Sequence, residues 1–328
     1  MKIARSLPAS VFFALVFVAF AAIGGHRAGV AADSGDFDRA RALFGEKRYS
    51  EAIALLDPFI QTHPRDARAL ALRGDSRASM GDDVGALKDY DAAIGADPEY
   101  AYAYATRCDT RRNVDNLSGA LTDCDTAIKL DPTDGLAYEN RGDVYFDRDA
   151  YDAALADYDR AIDHGRSGAY VFAARCDAER LAHKLERAPA DCDRALTLDP
   201  QSRRGLWASA RLLATEQQYA KAISDLNAYI AQKPAASDNA YYFRGFAYNR
   251  TGQYRLALDD EQTYIDRHTD DADAHAERGV ARYNLGDKAG AASDLQFALA
   301  AYHKDGDDQN VARVKTMIAT SQAGGTLP

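Results

Sequence analysis

Cysteine, methionine and tryptophan are scarce in this chain of 328 residues, with four, three and one copies. No cysteine precedes Cys108, which excludes lipid attachment at an N-terminal cysteine, and no Cys-x-x-Cys spacing occurs, which argues against a dithiol redox centre. His-Glu-x-x-His, Gly-x-Ser-x-Gly and a phosphate loop are all missing. The seven histidines (His26, His63, His164, His183, His268, His275 and His303) never stand three or four residues apart, so none forms a helical metal pair. There is no long basic run, and the formal net charge is −10, which disfavours binding by phosphate neutralisation. These absences point away from a hydrolase, a redox enzyme, a metal site and a nucleic-acid binder, and no cofactor is expected.

The one long apolar run lies at the N-terminus. Lys2 and Arg5 precede Val11–Ile23, and Val30-Ala31-Ala32 supplies small residues for cleavage after Ala32. Residues 1–32 therefore read as a signal peptide whose removal takes the net charge from −10 to −13. An uncleaved anchor is the alternative, but Ser6, Pro8 and Ser10 interrupt the apolar character that a membrane-spanning helix of about 20 residues needs.

From residue 33 the sequence is periodic. Pro64, Pro98, Pro132, Pro200 and Pro234 fall on one lattice of 34 residues, with Arg166 at the vacant beat. Ala52, Ala86, Ala120, Ala154, Ala188 and Ala222 keep the same period; one inserted residue near Ser237 shifts the series to Ala257 and Ala291. Such a period marks a stacked array. In residues 135–168, Tyr138, Gly142 and Tyr145 share a helical face, as do Ala154, Tyr158 and Ala161, predicting helices over about 136–147 and 151–163. One such hairpin cannot bury its apolar face alone, so neighbouring hairpins must stack.

These residues resemble the tetratricopeptide repeat family, whose unit of 34 residues carries a large residue at position 4, Gly at 8, Tyr at 11, Ala at 20, an aromatic at 24, Ala at 27 and Pro at 32. Eight units are counted: 33–66, 67–100, 101–134, 135–168, 169–202, 203–236, 238–271 and 272–305. The resemblance implies an all-α, right-handed α-solenoid of helix–turn–helix repeats. Pro189 predicts a late start, near Ala188, for the second helix of unit five. Val311, Val314, Met317 and Ile318 predict a capping helix over about 308–321, and residues 306–328 read as that helix plus a mobile tail.

Cys108 and Cys124, and likewise Cys176 and Cys192, occupy repeat positions 8 and 24, where units two and four keep Gly74 with Tyr90 and Gly142 with Tyr158. On the repeat geometry this implies two disulfides, Cys108–Cys124 and Cys176–Cys192, each stapling one hairpin and agreeing with an oxidising compartment. Four buried free thiols are the alternative. A second periodic set pairs arginine at position 7 (Arg73, Arg107, Arg141, Arg175, Arg244 and Arg278) with aspartate at position 23 (Asp89, Asp123, Asp157, Asp191, Asp225, Asp260 and Asp294). A structural ion pair between neighbouring helices suits this set better than a binding strip.

In the family, positions 2, 5, 9 and 12 of the first helix line a concave groove. Here they give Asp75, Tyr102, Asp109, Arg112, Glu139, Asp143, Tyr170, Asp177 and Trp207, joined by Tyr242 and Phe246 from unit seven. The groove is expected to be acidic with aromatics in its N-terminal half and richer in Trp and Tyr further on. Family members that clamp a C-terminal carboxylate carry Lys at position 5 and Asn at position 9. This chain has Ala71, Ala105, Glu139 and Ala173 at position 5 and aspartate at position 9, so a protein or peptide ligand with basic residues is expected. The reading is a non-enzymatic, exported scaffold, periplasmic or secreted, that binds an extended peptide in its groove. The alternative is a structural subunit of an envelope or secretion assembly that uses convex faces and edges.

Overall fold

The computed structural model describes residues 35–233 and 238–327. The signal-peptide reading of residues 1–32, the proline beat at Pro234 and the insertion near Ser237 lie outside the described residues. The described residues contain seventeen helices and no strand. Helix α1 covers 35–45. The others are α2 (Tyr49–Thr62), α3 (Ala67–Ser79), α4 (Asp83–Ala96), α5 (Ala101–Asn113), α6 (Leu117–Leu130), α7 (Gly135–Asp147), α8 (Tyr151–Asp163), α9 (Ala169–Leu181), α10 (Ala188–Leu198), α11 (Arg203–Thr215), α12 (Tyr219–Gln232), α13 (Asp238–Arg250), α14 (Tyr254–Ile265), α15 (Ala272–Asn284), α16 (Lys288–Asp305) and α17 (Asp308–Gln322). They follow one another as consecutive hairpins, the α-solenoid class.

The chain divides into two compact units, 1–144 and 145–328, the boundary falling inside α7. In the first, α3 packs on α2, on its own partner α4 and on the following first helix α5. In the second, first helices also touch successive first helices: α9 meets α11, α11 meets α13, and α13 meets α15. Small residues permit this. The eight periodic alanines, from Ala52 to Ala291, are all at most 1% exposed. A Cβ added to Gly74 would sit 2.6 Å from Tyr90 Cε1, so glycine at position 8 is what lets the facing ring lie flat on the helix.

The turn inside each hairpin needs one residue in the left-handed region. Lys47, Gly81, Asp115, Asp149, His183, Gln217, Gly252 and Gly286 hold it, with φ between 56° and 93°. Their spacing repeats the period and shifts by one residue after Gln217. Pro189 acts as expected: α10 begins at Ala188 and is cut to 11 residues. The cap helix α17 buries Val311, Val314 and Met317 against Val280 and Leu295. The expected mobile tail does not reach Leu327, which is buried at 2% exposure and whose carbonyl accepts from Asn284 Nδ2 at 3.2 Å. Leu327 packs in the same apolar cluster as Val280, Leu295 and Val314.

Both disulfides form as the repeat positions imply, with Cα–Cα distances of 5.5 Å for Cys108–Cys124 and 5.6 Å for Cys176–Cys192. The first sits among Ala120 and Val144 in the first unit, the second among Ala188 and Leu212 in the second. Cross-linking a loop of this length is worth about 3 kcal/mol. Reduction is therefore expected to lower the melting temperature, while the variant Cys108→Gly/Cys124→Tyr, which copies Gly74 with Tyr90, should fold without that staple. Thermal melts with and without reductant check this; an unchanged melt after complete reduction would show that the bridges add nothing.

The arginine and aspartate series are internal. The guanidiniums of Arg73, Arg107, Arg175, Arg244 and Arg278 each grip the aspartate 16 residues onward through two nitrogens, at 2.6–3.0 Å. The remaining nitrogen reaches back to the preceding hairpin, to Asp57, Asp91, Asp159, Asn227 and Gln262 respectively. Arg141 does the same to Asp125 at 2.8 Å. One side chain thus ties three helices in each of these five repeats. Unit six lacks the arginine; Ser209 Oγ donates to Asp225 instead, at 2.6 Å, and burial raises that carboxyl above its usual range.

Candidate functional site

The first unit carries a carboxylate held by phenols. Asp75, on α3, is 8% exposed; it accepts from Tyr90 OH at 2.8 Å and from Tyr102 OH at 2.7 Å. Burial raises it to about 6 in spite of these donors. The same burial, followed by the charge of Asp75, pushes Tyr90 and Tyr102 far up, so both remain donors. Asp75 lines two hollows. One, of about 310 Å³, is walled by Phe37, Phe44, Tyr100 and Tyr102 with Arg41 and Arg68, and the other, of about 220 Å³, by Tyr90, Thr106 and Asp109. Asp109 is 40% exposed in its side chain and pairs with Arg112 at 3.0 Å. Glu139 and Asp143 are at 4% and 2% exposure and do not line either hollow.

In the second unit the charged side chains that line the pocket are cationic. Tyr170, on α9, is half-exposed and lies beneath the Arg204 guanidinium, whose carbon is 4.3 Å from the ring centre. Asp177 is buried and takes Arg180 Nε at 3.0 Å and Arg211 Nη1 at 3.4 Å. Trp207 packs edge-on to Phe243 at 5.4 Å and lies 5.5 Å from the Arg211 guanidinium. Tyr242 meets Phe243 at 5.3 Å and Tyr264 at 5.4 Å, while Phe246 lies under Arg250 at 4.3 Å. Arg180, Arg211, Tyr242, Phe243 and Phe246 enclose a pocket of about 250 Å³.

Not every carboxylate expected along the groove is accessible. Asp75, Glu139, Asp143 and Asp177 lie below the surface; tyrosines close over Asp75 and arginines over Asp177. Tyr242 and Phe246 share one pocket, with Trp207 beside it against Phe243, while Tyr170 packs separately under Arg204; in the first unit Asp75, Tyr102 and Asp109 share a hollow, and Arg112 pairs with Asp109. Arg211 and Phe243 had not been singled out from sequence. For Arg211 a signal existed: position 9 runs Asp75, Asp109, Asp143, Asp177 and then Arg211, so the sign of the series reverses in unit six.

A sequence profile of the tetratricopeptide repeat matches residues 37–101 and 109–169. No curated protein matches the chain. Among solved structures, a chain of the APC/C hetero-tetramer Cut9–Hcn1 superposes with a TM-score of 0.68 at 15% identity, over 84% of this chain and 54% of that one. The protein studied in the functional characterisation of Pseudomonas aeruginosa PilF gives 0.53 at 16% identity, over 62% and 93%. A tetratricopeptide repeat protein of Parabacteroides merdae gives 0.50 at 19%, over 78% and 98%. The chain is a tetratricopeptide repeat protein, a fold suited to protein–protein interaction. Among the described residues no helix is long and apolar enough to cross a membrane.

Proposed function

We propose that the protein is a non-enzymatic, exported scaffold that binds an extended peptide along its first-helix face and that Asp75 receives a basic side chain of that peptide. The observation that carries this reading is Asp75 itself. It is a buried carboxylate in a hollow lined by aromatic rings and by Arg41 and Arg68, which pair with Asp38 and Asp66, and its own hydrogen bonds come from two tyrosines and no cation. A lysine or arginine side chain fits such a site on both counts, because the aromatic faces attract a cation and the carboxylate neutralises it. The two disulfides support an oxidising compartment, periplasmic or extracellular.

The test is fluorescence anisotropy with short acetylated and amidated peptides that differ in one residue. A lysine peptide is expected to bind, and Asp75→Asn to weaken it about tenfold, equal to about 1.4 kcal/mol. Binding should also fall between pH 7.5 and pH 5, as Asp75 takes up its proton near 6. Unchanged lysine-peptide affinity in a folded Asp75→Asn protein would overturn the assignment. Capture of several envelope subunits at fixed ratio, insensitive to Asp75→Asn and to Trp207→Ala with Tyr242→Ala, would favour the assembly reading instead.

A further inference from the structure

We infer that the pocket between α9, α11 and α13 is a second recognition site of opposite sign, which takes an acidic side chain of a bound peptide together with an aromatic neighbour. The inference rests on the peptide-binding reading above and assigns the chemistry of one of its subsites.

The argument starts from charge. Arg180 and Arg211 both turn to Asp177, and among the described residues it is the one carboxylate that either guanidinium contacts. Two cations on one anion leave an excess of one positive charge. The three side chains are at most 23% exposed, so water neutralises that excess poorly. Geometry shows the same shortfall in hydrogen bonds. Arg180 Nη2 is buried and makes no well-aligned hydrogen bond, although it lies 2.9 Å from Asp177 Oδ1. Arg211 reaches Asp177 through a long contact of 3.4 Å. Burial, with repulsion from Arg180, depresses Arg211 below the usual arginine value even though Asp177 opposes this. A carboxylate entering the pocket would meet two planar donors with nitrogens to spare.

The walls define the rest of the ligand. Phe243, Phe246 and Tyr242 supply apolar faces, and the small side chains of Ala214 and Thr215 complete the lining. An aromatic residue beside the acid would lie edge-on among these rings, in the manner that Trp207 already meets Phe243. The occupant is an acidic side chain within an extended segment, since a side-chain carboxylate on its short stem can reach the guanidiniums while the peptide backbone stays at the surface.

Two readouts test this on the purified, oxidised protein. The probe is an acetylated and amidated peptide with one Glu-Phe pair in a Ser/Gly background, compared with its Gln-Phe and Lys-Phe counterparts. The first readout is anisotropy of the labelled peptide. The second is the emission of Trp207, the single tryptophan, which lies 5.5 Å from the Arg211 guanidinium. The Glu peptide should bind about tenfold tighter than the Gln peptide and shift Trp207 emission. Arg211→Gln should erase that preference. Asp177→Asn should strengthen Glu-peptide binding, because it removes the internal competitor; a merely structural role for Asp177 predicts the reverse. Equal binding of Glu and Gln peptides, or weaker Glu-peptide binding in folded Asp177→Asn, overturns the inference. If the lysine peptide still depends on Asp75 in that case, the peptide-binding reading stands and this subsite alone falls. If no peptide binds, both fall. Preference for a free C-terminal carboxylate over the amidated Glu peptide also overturns it, in favour of terminal recognition.

Discussion

Asp294→Ala is expected to cost the protein about 3–5 kcal/mol, the range for stranding buried charges by deletion of their partner. Asp294 is 3% exposed and is the hub of the last repeat. Arg278 grips it through Nε at 2.9 Å and Nη2 at 2.6 Å, Arg282 reaches it at 2.9 Å, and His275 Nδ1 lies 3.3 Å away. Removal of the carboxylate leaves these groups facing one another with Arg278 buried at 8% exposure. The control is Asp125→Ala. That carboxylate also pairs with a ladder arginine, but it is 59% exposed, so its loss should cost under about 1 kcal/mol. Urea unfolding followed by circular dichroism separates the two. Equal losses would mean that burial of the ladder carboxylate carries no weight.

Glu261→Leu is expected to do the opposite and stabilise the protein by about 2 kcal/mol at pH 8, within the range for an unsatisfied buried polar group. Glu261 has no exposed surface, and neither carboxylate oxygen finds a hydrogen-bond partner among the described residues. It occupies position 24, where the neighbouring repeat has Leu295 and others have Tyr90 or Tyr158. It faces Gly245 so closely that a Cβ there would lie 2.5 Å from Oε1. Burial is the first reason its carboxyl is raised well above the usual range; Glu277, Asp260 and Asp271 follow, and Arg278 opposes them.

The sign of the pH dependence follows. A carboxyl that is easier to protonate when folded lends its full stability below the unfolded value of about 4.3 and loses it as pH rises towards the folded value. Glu179, raised to about 7 by burial and then by Asp191, acts in the same direction. The protein should therefore melt higher at pH 5 than at pH 8. Glu261→Leu should remove part of that slope, with its largest gain at pH 8. A gain of the same size at every pH, or a wild-type melt at pH 8 as high as that at pH 5, would sink this account.

Much of the architecture was legible because a repeat period acts locally and many times over. Pro189 stands in the first turn of α10, where its missing N–H would have had no partner within the helix. Cys108 and Cys124 had to meet because Gly74 and Tyr90 do, one repeat earlier, in the same helix crossing. Arg73 and Asp89 could be paired by the same argument.

The interior of the sites was less legible. Asp75 stands at a position that reads as groove surface, yet Tyr102, 27 residues away, closes over it and turns a solvated charge into a carboxyl near 6. Arg211 meets Asp177 across 34 residues, and that contact changes the sign of the pocket from acidic to basic. Glu261 looks like an ordinary acidic residue in the sequence and is one of the most deeply buried side chains. By itself the sequence determined the fold class, the helix limits, the disulfide pairing and the ion-pair ladder, because each depends on a residue's place along and around a helix. Only the tertiary structure decided which carboxylates are submerged, which cations remain under-neutralised and where the pockets open, because burial depth depends on the sizes of side chains contributed by neighbouring repeats.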